Sequence, residues 1–83
     1  MVFLVTQEHA PESCPKDTGG SKTLYDANAD GVTLKAMYGA FSDHVIYYVV
    51  EASDLSAVHK FLDPGWTRCS ASITPVAEEP IGR

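Results

Sequence analysis

Two segments of the chain are apolar on both alternating faces, and two others alternate between apolar and polar side chains. Residues 2–6 and 45–50 belong to the first kind, which is typical of central strands in a sheet. Residues 32–38 and 69–74 belong to the second kind, which is typical of half-buried strands at a sheet edge, and Pro75 suits an edge because it donates no hydrogen bond. In the first of these alternating strands the apolar side chains are predicted to share one face: Val32, Leu34, Ala36 and Tyr38.

The segments between these strands contain two predicted helices. Residues 21–29 can hold a short helix of about two turns. The preceding residues 9–20, which include two prolines and a glycine pair, are typical of a loop. The second helix is capped by Ser53 and Asp54 and is ended by the Asp-Pro-Gly at residues 63–65. Its apolar side chains recur at helical spacing: Leu55, Val58, Phe61 and Leu62.

The resulting order of elements, β-α-β-β-α-β, predicts an α+β fold of the ferredoxin-like kind. Two right-handed crossovers interleave such a chain into one four-stranded antiparallel sheet with the strand order 4-1-3-2. The apolar pattern agrees, because the first and third strands would be the central ones. The 83 residues are expected to form one domain at residues 1–77, followed by a flexible tail at residues 78–83.

The two central strands also predict self-association. Helices would cover one face of the sheet, which leaves Phe3 or Leu4 and alternate side chains of residues 45–50 exposed on the other face. Exposed apolar patches of this kind usually mark an interface. Packing two sheets face to face, as in a dimeric α/β barrel, would bury them, and we therefore expect a homodimer.

Charge and cysteine content exclude several classes of partner. The formal net charge is −5 and the six basic residues are scattered, which argues against nucleic acids and anionic membrane surfaces as partners. The first residues lack the basic region of a signal peptide, and their apolar run is too short to span a membrane. We therefore expect a cytoplasmic protein with reduced thiols, in which a Cys14–Cys69 disulfide is disfavoured.

Several side chains that can bind metals converge at one end of the predicted sheet. His9 follows the first strand, and His44 opens the third. Cys69 opens the fourth strand, and Cys14 lies in the loop that leaves the same end. Because imidazole and thiolate are ligands for transition metals, the sequence predicts a metal site, most simply for zinc, formed by His9, Cys14 and His44. Glu12 or Cys69 could supply a further ligand.

Each of these residues also has an inert interpretation. Cys14 could be a buried small side chain, His9 a solvated loop residue and His44 a turn residue. A second candidate motif, D-x-N-x-D-G at residues 26–31, matches the first half of a calcium loop. The twelfth position of that loop, where a bidentate acid is required, is Met37, so a turn explains the motif better. His59 is expected to pack at the margin of its helix.

The sequence resembles a group of small uncharacterised ferredoxin-like proteins that are similar to the dimeric α/β barrel superfamily. The resemblance rests on the H-x-P-E-x-C-P segment at residues 9–15, the histidine before the third strand and the Ile-Thr-Pro-Val at residues 73–76. It covers residues 2–76 and implies a ferredoxin-like fold and a dimer. The superfamily includes cofactor-free monooxygenases and isomerases. The first helix is shorter here, over residues 16–30, which argues against an enclosed substrate pocket and hence against an enzyme.

Three functional hypotheses follow from these observations. The first is a homodimer that binds a transition metal ion through His9, Cys14 and His44. The second is an enzyme like the monooxygenases or isomerases, acting on a small organic molecule, in which a histidine would be the acid or base and Cys14 a redox-active thiol. The third is a structural dimer without catalytic activity.

Overall fold

The computed structural model of the protein describes residues 1–79. Over these residues it is an α+β structure with four strands and one α-helix. The elements are β1 (Val2–His9), β2 (Val32–Gly39), β3 (Val45–Ala52), α1 (Leu55–Leu62) and β4 (Cys69–Val76). The predicted tail begins beside β2, where the Lys35 ammonium donates to a Glu78 carboxylate oxygen at 3.2 Å; residues 80–83 of that tail lie outside the described residues.

The strands form one antiparallel sheet in the order β2-β3-β1-β4, which reads 4-1-3-2 when it is counted from the β4 edge. The two strands that are apolar on both faces, β1 and β3, occupy the centre, as their pattern predicted. In this arrangement the end of β1 lies beside the start of β3 and the start of β4. The C-terminal end of β2 reaches the same end of the sheet, where Gly39 pairs with Ile46.

The prediction of a helix over residues 21–29 is wrong. The connection from β1 to β2 contains two short 3₁₀ helices, Pro11–Ser13 and Ser21–Thr23, and no α-helix among its residues, all of which are described. Gly19 and Gly20 before this segment and Gly31 after it have positive φ, so the backbone turns on both sides of residues 21–29. The connection is a folded loop, so the first helix of the predicted order of elements, β-α-β-β-α-β, is absent from the described residues.

A β-bulge changes which side chains of β2 share a face. The register with β3 shifts between Leu34 and Ala36, so Leu34 pairs with Val50 on the helix side, whereas Ala36 pairs with Val49 on the opposite side. The single apolar face predicted for this strand is therefore wrong beyond Leu34. We call the side of the sheet away from α1 the open face; it carries Leu4, Ala36, Tyr38, Tyr47 and Val49.

The hydrophobic core lies between the other face and α1. The helix begins after Asp54, whose carboxylate accepts a hydrogen bond from the Ala57 amide at 2.9 Å, a regular N-cap. Val58, Phe61 and Leu62 are buried as predicted, but Leu55 at the first turn is half exposed. Phe61 packs edge-on against Tyr48, with ring centroids 5.2 Å apart.

A buried polar contact ties the long loop to the sheet. The Gln7 side chain is 1 % exposed; its Nε2 donates to the Leu24 carbonyl at 3.0 Å, and its Oε1 accepts from the Tyr48 hydroxyl at 2.7 Å. Both ends of this amide are therefore satisfied, and its burial carries little penalty. The loop is held further by Leu24, which is fully buried, and by the Asp26 amide, which donates to the Phe61 carbonyl at 2.8 Å.

No helix among residues 1–79 is long and apolar enough to cross a membrane.

Candidate metal centre

The two histidines of the site are held together by the sheet itself. β1 continues through His9, which lies at the end of the strand instead of in the following loop. The His9 amide donates to the His44 carbonyl at 3.1 Å, which extends the β1–β3 ladder by one residue. The His44 amide in turn donates to the Asp43 carboxylate at 2.8 Å. These backbone bonds place the two imidazole rings 5.1 Å apart, at an angle of 67°.

Cys14 is brought to the histidines by the loop that follows β1. Pro11 begins a 3₁₀ helix, a position where a proline loses no hydrogen bond, and the Cys14 amide closes the turn on the Pro11 carbonyl at 3.2 Å. Pro15 is buried, and its carbonyl accepts hydrogen bonds from Thr18 and Gly20. These turns and the two prolines restrain the loop and thus position the Cys14 thiol, which is free and half-buried.

The three predicted ligands form one compact group. One nitrogen of each imidazole and the Cys14 sulfur all lie within 4.8 Å of one another. In a tetrahedral zinc site with bonds of about 2.0–2.3 Å, ligand atoms are about 3.3–3.8 Å apart. Side-chain movements of about 1 Å would therefore bring these three donors onto one ion.

The environment of His9 suits a ligand better than a solvated loop residue. Both ring nitrogens are shielded from water, and neither has a hydrogen-bond partner within residues 1–79. An unsatisfied buried polar atom costs about 1–3 kcal/mol, so native structures rarely retain one without a reason. Burial, the neighbouring His44 ring and the Arg68 guanidinium together hold the pKa of His9 below its ordinary value. The neutral imidazole, the form that binds metals, is thereby favoured.

The other candidate residues lie outside this group. Glu12 is exposed on the 3₁₀ turn. Cys69 pairs with His9 in the sheet but lines a separate cavity of about 170 Å³ with Gln7 and Trp66. Burial raises the pKa of the Cys69 thiol. His59 is exposed on α1, with its ring 5.9 Å from that of Trp66.

The D-x-N-x-D-G motif before β2 forms a turn. The Asp26 carboxylate accepts a hydrogen bond from the Asn28 amide at 2.9 Å, which is an Asx-turn. Met37, at the position where a calcium loop needs its bidentate acid, lies within β2.

Arg68 and Ser70 also belong to the surroundings of the site, and sequence reasoning missed them. Together with Glu8, His9, Asp43 and His44 they line a depression of about 330 Å³, which we call the Arg68 cleft. The signal that could have found Arg68 is its place in the chain: it directly precedes Cys69, the residue that pairs with His9. On the other side, His9 and His44 line a second depression of about 220 Å³ with Cys14 and Lys16, which we call the thiol cleft.

The sequence profile of a domain of unknown function, DUF3303, matches residues 1–79. The chain belongs to this family. The match spans every strand of the DUF3303 sheet and all three residues of the His-Cys-His group. No curated protein matches the chain, and no solved structure matches it either. The geometry of the site is therefore the guide to the function of this DUF3303 domain.

Proposed function

We propose that this DUF3303 protein binds a divalent transition metal ion, most simply zinc, through His9, Cys14 and His44. The observation that carries the proposal is the group itself: three donor atoms within 4.8 Å, including a histidine with both nitrogens buried and unpartnered in the described chain. An ion would accept a lone pair from one His9 nitrogen, which then no longer lacks a partner.

The ligand types favour zinc or a metal of similar chemistry. Two imidazoles and one thiolate are borderline-to-soft donors, which disfavours calcium and magnesium, since those ions select oxygen ligands. Three protein ligands leave a fourth position open, the arrangement of metal sites that bind water or a substrate. Metal binding with an exchangeable position is therefore the function that this geometry supports best.

Cobalt replacement tests the role of the thiol. We expect cobalt(II) added to the metal-free protein to give an intense near-ultraviolet band from thiolate-to-cobalt charge transfer, because Cys14 would coordinate as a thiolate. In the Cys14→Ser variant this band should be absent and cobalt affinity should fall at least about a hundredfold, since a coordinating sulfur is lost. Absorption spectra recorded during a cobalt titration measure both.

Cys69→Ser is the matched control, because Cys69 is the other free cysteine and lies outside the group. It should retain the band and the affinity of the wild type. A band that persists in Cys14→Ser, or one that disappears in Cys69→Ser instead, would contradict the proposed ligand set.

We also propose that the protein forms a homodimer through the open face, in the manner of a ferredoxin-like α/β barrel dimer. Leu4 and Tyr47 are each 40 % exposed at the centre of this face, and Tyr38 is 66 % exposed beside them. Four strands of eight residues present a face of about 500 Å², which is less than the about 800 Å² per partner of a standard interface. The dimer is therefore expected to dissociate on dilution.

Substituting Leu4 with Lys should make the protein monomeric at concentrations where the wild type is dimeric, because a charge would be buried at the centre of the interface. Leu55→Lys is the matched control, since Leu55 is 50 % exposed but lies on α1. Sedimentation velocity over a concentration series distinguishes the variants. A wild type that is monomeric at every concentration, or a dimeric Leu4→Lys variant, would contradict the interface.

A further inference from the structure

Two depressions of different character meet at His9 and His44. Of these two depressions, Cys14 lines the thiol cleft alone, whereas Arg68 and Ser70 line the Arg68 cleft alone. His9, His44 and Asp43 line both depressions. An ion held by the three ligands would therefore lie at the boundary between the clefts. Its open coordination position could then face the Arg68 cleft, which Cys14 does not line.

The charges around the Arg68 cleft select the kind of ligand that fits there. A divalent ion with one thiolate and two neutral imidazoles has a net charge of about +1. The Arg68 guanidinium adds a second positive charge, and its planar group of donors matches a carboxylate. Glu8 and Asp43 also line the cleft. Their carboxylates repel an anion in proportion to its charge, so a single carboxylate is opposed less than a dianion.

We propose that the Arg68 cleft is the ligand-binding site of the metal centre and that it takes a small molecule with a single carboxylate. One carboxylate oxygen would occupy the open position on the ion, and the other would accept hydrogen bonds from Arg68. Ser70 lines the same cleft, and its hydroxyl would donate to the remainder of the ligand. The inference rests on the proposed metal site and assigns to it a class of ligand.

Cobalt-loaded protein titrated with acetate tests this assignment. Acetate should change the visible spectrum of the bound cobalt in a saturable way, whereas sulfate, a dianion, should leave it unchanged at the same concentration. Arg68→Met should weaken acetate binding at least about tenfold, since a hydrogen bond to a charged group is lost. Lys16→Met removes the same charge on the thiol-cleft side and should bind acetate like the wild type.

The cobalt content of each protein is measured before the titration, which separates this inference from the metal site. Cobalt-loaded wild type that does not respond to acetate would overturn the ligand assignment and leave metal binding in place. Protein that takes up no cobalt would overturn both. An equal loss of affinity in Lys16→Met and Arg68→Met would show a general charge effect and contradict the role of Arg68, and an equal response to sulfate would contradict the selectivity.

Discussion

Zinc added to the metal-free protein is expected to raise its midpoint of thermal unfolding by about 15 °C or more, at a free concentration about 1,000 times the dissociation constant. The proposed ligands come from the end of β1, the loop after it and the turn before β3, so only the folded chain brings them together. Binding to the folded state alone contributes about 4 kcal/mol under these conditions, a large fraction of the stability of so small a domain. Calorimetry with and without a chelator measures the shift.

The histidines provide the controls for this shift. His59→Ala, which changes the one histidine outside the group, should respond to zinc like the wild type. The His9→Ala/His44→Ala double variant should show almost no shift. An equal shift in the double variant would mean that zinc stabilises the protein from another site.

The double variant is also expected to lose zinc affinity by at least about 10⁴-fold. Loss of a group that only orients a metal ligand already costs about 10–100-fold, and here two of three ligands are removed. The fold should persist, because no side-chain hydrogen bond of His9 is lost within residues 1–79. Competition against a chromophoric chelator measures the affinity, and circular dichroism verifies the fold. Affinity within about tenfold of the wild type would exclude these residues as the main ligands.

The convergence of the site could be predicted from the sequence because sheet topology determines it. The sequences of β1 and β3 are apolar on both faces, which indicates that these strands are central. Antiparallel pairing then places the end of β1 beside the start of β3. His9 and His44 flank that junction, so their meeting required only the strand order. The loop that carries Cys14 was also recognisable, because Pro11 and Pro15 are typical of a loop.

Features that depend on tertiary contacts were not predictable in this way. The segment at residues 21–29 has enough helix-compatible side chains for two turns, but burial of Leu24 against Gln7 and the Asp26–Phe61 hydrogen bond hold it as a loop. The bulge in β2 leaves no local signal, since Lys35 is an ordinary residue at an alternating position. Arg68 lies beside the site because Cys69, the next residue, pairs with His9, and this follows from the sequence only once the pairing of β4 with β1 is considered.

The most direct test of the central claim is native mass spectrometry combined with elemental analysis of untagged protein purified without chelators. The proposed site predicts about one transition metal ion per chain in the wild type and none in the His9→Ala/His44→Ala variant, with both proteins folded. Wild-type protein without metal that also fails to take up added zinc, or equal metal content in the two proteins, would contradict it.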